Sequence, residues 1–137
     1  MPARRLDLLL VNKHDRAPVL AEVKIAGDKH VFYALIQVLA LLAEFASDPQ
    51  RRRLASHYPS IALRPDAQPV GDVYVIALAP PQDGVFLERL LTASEAIAQA
   101  LMGEPKVTRY VRRIAYLQAP RARDLQLRRV FAFGEGC

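Results

Sequence analysis

The run Leu6-Asp7-Leu8-Leu9-Leu10-Val11 sets one carboxylate inside an otherwise apolar segment of strand length. Apolar residues at both parities read as a strand covered on both faces. An ionised carboxylate there is costly unless a cation or a hydrogen-bond donor compensates it. The next strand-length segment repeats the problem. In Val19-Leu20-Ala21-Glu22-Val23-Lys24-Ile25 the odd positions are uniformly apolar, while Glu22 and Lys24 stand two apart. Residues two apart on a strand project from one face. Any fold of this chain must therefore accommodate three charges on two apolar strands.

Lys13 to Ala17 reads as a polar turn between the two strands, Leu6 to Asn12 and Val19 to Ile25. A hairpin symmetric about His14-Asp15 sets Asp7 directly opposite Glu22, with Cβ atoms about 5 Å apart, and Lys24 beside them on the same face. Facing carboxylates repel in an apolar setting, so either a proton is shared or a divalent cation sits between them. A register slip of one residue would send the acids to opposite faces. A structural ion pair stands as the other reading, with Glu22 bonded to Lys24 or Arg5 and Asp7 capping a local donor.

Asp28 is placed to cap a helix from Lys29 to Ala46, apolar on nearly every side and so expected to be buried on more than one face. Tyr33, Gln37 and Glu44 share one stripe of it. Gln37 is a lone amide that needs a partner, in the charged cluster or in the backbone. Ser47-Asp48-Pro49 ends this helix, and a short one is expected over Arg51 to His57. A third strand is expected over Asp72 to Ala79, a second long helix over Val85 to Leu101, and strands over Val107 to Leu117 and Leu127 to Phe133. The order ββαβαββ gives an α/β or α+β fold, a mixed sheet flanked by helices, with residues 1–137 as one domain.

With 137 residues and 52% hydrophobic composition the chain can bury a real core. Its net charge of +5 and pI of about 9.7 suit a polyanionic partner. One cysteine, Cys137, excludes an internal disulfide and fits a reducing compartment. The most apolar stretch, Val31 to Phe45, is shorter than a bilayer span and contains Gln37 and Glu44. No signal peptide is visible, because Asp7 breaks the apolar run that follows the basic start. These features lead to the expectation of a cytoplasmic protein without membrane segments.

Asp7, then Glu22-Val23-Lys24, then a helix bearing Gln37, resembles the PD-(D/E)xK nuclease superfamily, which includes restriction endonucleases, Holliday junction resolvases and RecB-type nuclease domains. The resemblance covers residues 5 to 46, with Asp72 to Ala79 as the following strand. Leu6 stands where the family motif carries proline. The resemblance implies a restriction-endonuclease-like core. It implies Mg²⁺, with Mn²⁺ as a substitute, on Asp7, Glu22 and the Val23 carbonyl. It makes Lys24 the residue that orients water or stabilises developing charge, and Gln37 a positioning group. Lys29, Arg51, Arg52 and Arg53 are the candidate contacts to the nucleic-acid backbone, most simply DNA. Arg109, Arg112 and Arg113 are the next candidates for nucleic-acid contact, and Tyr110 and Tyr116 are expected to pack. Members of the superfamily usually carry a helix ahead of the first strand, and this chain starts a few residues before Leu6. The alternative to a Mg²⁺-dependent nuclease is therefore a nuclease-fold module without turnover that binds nucleic acid or a protein. A third reading is a regulatory homodimer formed through the long apolar helices.

Overall fold

The first two strands pair as a hairpin, but the first lies at the sheet edge with Leu8, Leu10 and Val11 exposed. It is therefore not the strand covered on both faces that its apolar sequence predicts. Strand β1 (Leu8–Val11) runs antiparallel to β2 (Pro18–Lys24), in the register Leu8 with Ala21, Leu9 with Leu20, Leu10 with Val19 and Val11 with Pro18. Between them Arg16 adopts φ 62°, and the Asn12 and Asp15 side chains accept the backbone N–H groups of His14 and Ala17. These short Asx contacts stabilise the turn locally. The computed structural model describes residues 5–25, 31–62, 70–78, 84–119 and 126–137.

Helix α1 (Val31–Phe45) follows, then α2 (Asp48–His57), β3 (Gly71–Leu78), α3 (Gly84–Met102), α4 (Pro105–Thr108), β4 (Val111–Ala119) and β5 (Arg128–Gly134). The five strands form one sheet in chain order. Strands β2, β3 and β4 are parallel, while β1 and β5 are antiparallel at the two edges. This is an α+β fold with a mixed sheet. Parallel neighbours need long crossovers, and the helices supply them. Helix α1 packs on β2 and β3, α3 packs on β4 and β5, and the two helices touch. Among the described residues no single helix is long and apolar enough to cross a membrane.

Helix α1 buries Val31, Ala34, Leu35, Val38, Leu41 and Leu42, a stripe at helical spacing. Its other side departs from the expectation of burial all round. Phe32, Tyr33 and Ile36 are 36%, 62% and 45% exposed. The sheet beneath ends in the four-residue edge strand β1, so it offers cover to one broad face only. Ser47 is the N-cap of α2 and Pro49 occupies its first turn, so this helix starts ahead of Arg51. The chain turns through 94° between α1 and α2.

The expected strand from Val107 also starts later. Glu104 caps α4, its carboxylate accepting the Lys106 N–H, and Pro105 sits in the first turn. The sequence Gly103-Glu104-Pro105 thus encodes a helix start, and pairing begins only at Val111. At the sheet's other end Gly71 lies against the Pro18 carbonyl, where any Cβ would collide.

Candidate functional site

The register of β1 on β2 continues past Leu8–Ala21 to put Asp7 level with Glu22. Asp7 lies just outside the regular strand, and its Oδ2 accepts the Val23 N–H at 2.8 Å. A side chain thus replaces the next rung of the ladder. The N–H and C=O of one strand residue point to one side. The Val23 carbonyl therefore also points toward the edge that carries Asp7.

Glu22 is 6% exposed. Beside it on β3 stands Val75, and Tyr116 on β4 follows, both fully covered. Lys24, two residues on, reaches Gln37 of α1, whose Oε1 accepts from Lys24 Nζ at 3.4 Å. Glu22 and Lys24 therefore project from the helix-covered face. Lys24 Nζ lies 3.7 Å from Glu22 Oε1, while Glu22 Oε2 is buried with no hydrogen-bond partner. Burial first, and then the charge of Asp7, push the Glu22 carboxyl above its usual range, and Lys24 offsets part of that shift. The arrangement has the properties of a cation site: a buried oxygen without a donor, a second carboxylate beside it, and a carbonyl on the same side. Among the described residues no group of three or more His, Cys, Asp or Glu side chains could hold a metal. The candidate ligands are two carboxylates and one backbone oxygen.

Asp7, Glu22, Lys24 and Gln37 are brought together. The expected backbone-contact residues are not placed alike. Arg51 is 4% exposed, and its Nε donates to the Ala46 carbonyl at 3.1 Å, holding the end of α1. Arg52 and Arg53 are exposed, and Arg53 borders a groove between α2 and the Leu6 and Leu9 side chains. Lys29, and Asp28 as the expected helix cap, lie outside the described residues. Tyr116 packs as expected, stacked on Phe131 at 5.6 Å between ring centroids, with its hydroxyl accepting from Gln118.

A second charged cluster escaped sequence reasoning. Asp72 is fully buried at the start of β3 and is gripped by Arg112 of β4, Nε to Oδ1 at 2.8 Å and Nη2 to Oδ2 at 2.9 Å. Arg112 also pairs through Nη1 with Asp15 of the β1–β2 turn. The two carboxylates push the Arg112 guanidinium further up from its ordinary range. Arg112 is therefore part of the scaffold and is not presented to a phosphate. Arg113 donates to the Glu135 carbonyl at 3.0 Å. The available signal was Asp72 itself, a carboxylate near the start of a strand whose following residues are apolar apart from the Tyr74 hydroxyl.

Compared with protein-family models, with characterised proteins and with solved structures, the chain matches none.

Proposed function

We propose that this chain is a Mg²⁺-dependent nuclease that hydrolyses phosphodiester bonds, DNA being the first substrate to test. The observation that carries the reading is Glu22 Oε2, a buried carboxylate oxygen without a partner, beside Asp7 and Lys24. Its environment fits a hard cation, because both acids and the Val23 carbonyl offer oxygen. The restriction-endonuclease-like core belongs to the same proposal. The β-hairpin, the helix bearing Gln37 and the strand Gly71–Leu78 beside Glu22 support it.

Asp7, Glu22 and the Val23 carbonyl would hold Mg²⁺ or Mn²⁺, which when bound neutralises charge on the scissile phosphate and lowers the pKa of a water. The chain's own residues have separate tasks. The Val23 N–H fixes the Asp7 carboxylate in place. The Lys24 ammonium would donate a hydrogen bond to a non-bridging phosphate oxygen, stabilising developing charge, or would orient the attacking water. Lysine suits this because it is a compact cation, whereas arginine would lock into a planar fork. Gln37 holds the end of Lys24, limiting the rotamers a long side chain otherwise samples. The walls formed by Val75 and Tyr116 lower the local polarity and strengthen each of these contacts.

The test is cleavage of plasmid and single-stranded DNA in Mg²⁺ and in Mn²⁺ by the wild type, Glu22→Ala and Lys24→Ala. Cleavage by the wild type alone is expected. Equal cleavage by all three proteins would refute the assignment, as would wild-type protein that is inert on every substrate.

A further inference from the structure

Tyr33 lies one helical turn before Gln37 on α1 and is 62% exposed. With Ile36, Ala40 and Leu41 from the same helix, and with Arg5 across the gap, Tyr33 and Gln37 line a cavity of about 220 Å³. Gln37 belongs to this cavity and also holds Lys24. Arg5 precedes Asp7 by two residues. The hollow thus lies between the segment that leads into Asp7 and the face of α1 whose Gln37 holds Lys24.

The chemistry of the lining is specific. Tyr33 and Ile36 keep apolar surface in water, and burial of the fold does not require either. Arg5 lines the same cavity. An aromatic ring flanked by a cation is the combination that holds an unpaired nucleotide, base on ring and phosphate on arginine. Within a duplex both faces of each base are already stacked, so a duplex offers nothing to Tyr33. The cavity also has room for one ring system and none for a double helix. Whole-chain charge, at +5, favours the same class of ligand.

We propose that Tyr33, with Ile36 and Arg5, forms a base-stacking seat beside the Glu22–Lys24–Gln37 cluster, and that the chain acts on single-stranded nucleic acid or on single-stranded ends. This inference rests on the nuclease reading for its catalytic part. Stacking itself is measured without turnover.

The experiment follows fluorescence anisotropy of a labelled single strand, as DNA and as RNA, and of the same strand annealed to its complement, with Ca²⁺ replacing Mg²⁺. Tyr33→Ala is expected to weaken single-strand binding roughly five- to one-hundred-fold and to leave duplex binding unchanged. Tyr33→Phe should keep wild-type affinity because the ring remains. Arg5→Ala should lower the salt slope for single strands by about 0.7. Binding of single strands that is unchanged in Tyr33→Ala overturns the seat, and so does equal wild-type affinity for single strand and duplex. A change in oligomeric state in Tyr33→Ala, with binding intact, would assign the face to a second copy and also overturn it. Cleavage by Glu22→Gln at the wild-type rate defeats the nuclease reading while the anisotropy result for Tyr33 stands.

Discussion

Lys24 Nζ lies 3.7 Å from Glu22 Oε1, at ion-pair distance and beyond good hydrogen-bond length. The ammonium therefore offsets the Glu22 charge without satisfying its second oxygen, which stays unpartnered. A carboxylate held this way costs the fold something and keeps an oxygen for a ligand.

Glu22→Gln follows from that relationship. An amide removes the buried charge, so urea unfolding is expected to show a gain on the order of 1 kcal/mol while cleavage is lost. A variant both less stable and still active would contradict the site.

The pH dependence has a definite sign. The folded-state pKa of Glu22 is raised, so the unfolded chain releases this proton first as pH increases. Its stability contribution is complete below the ordinary glutamate range and is lost as pH rises through the folded value. Wild type should show this downward slope and Glu22→Gln should lack it. If Asp7 and Glu22 hold Mg²⁺ as proposed, the ion takes the ionised pair and should raise Tm more at pH 8 than at pH 5. Equal shifts at both pH values would count against ligation by Glu22.

The Asp72–Arg112 pair should behave as scaffold. Arg112→Met removes both hydrogen bonds to the fully buried Asp72 carboxylate and leaves it only Arg113 Nη1 at 4.0 Å, so it should cost about 3 kcal/mol in chemical denaturation. Asp15 has a side chain that is 49% exposed, so Asp15→Asn should cost under about 1 kcal/mol. The Ala17 N–H and Arg112 hold the Asp15 carboxyl below its usual range. That small contribution is present above the unfolded pKa and disappears as pH falls through the folded value.

The three consecutive arginines of α2 should separate. Arg52→Ala and Arg53→Ala should each weaken duplex binding across all sequences and reduce the salt slope by about 1. Arg51→Met should instead lower stability by about 1–3 kcal/mol, through the Ala46 carbonyl it leaves behind, with the salt slope unchanged. Identical effects from all three would refute this division.

Much of the site was legible because strand geometry is local. Parity alone places Glu22 and Lys24 on one face, and a symmetric turn about His14-Asp15 sets Asp7 level with Glu22, as the register of Leu8 on Ala21 bears out. Helical spacing likewise carried Gln37 to the face that meets Lys24. The start of α4 was also encoded nearby, in Gly103-Glu104-Pro105, but the alternation after Val107 masked it.

Other features depended on segments far apart in the chain. Nothing near Arg51 tells it from Arg52; only the bend between α1 and α2 turns one inward and leaves the other in water. Asp72 and Arg112 are 40 residues apart and meet because β3 and β4 run parallel. The exposure of Tyr33 arises because the sheet ends in a short edge strand. What the sequence determined by itself was which side chains share a face, since backbone periodicity is a property of neighbouring residues. Tertiary structure decided which of those side chains lose water and which keep it, since desolvation depends on what packs above them. That loss of water is what left one Glu22 oxygen without a partner.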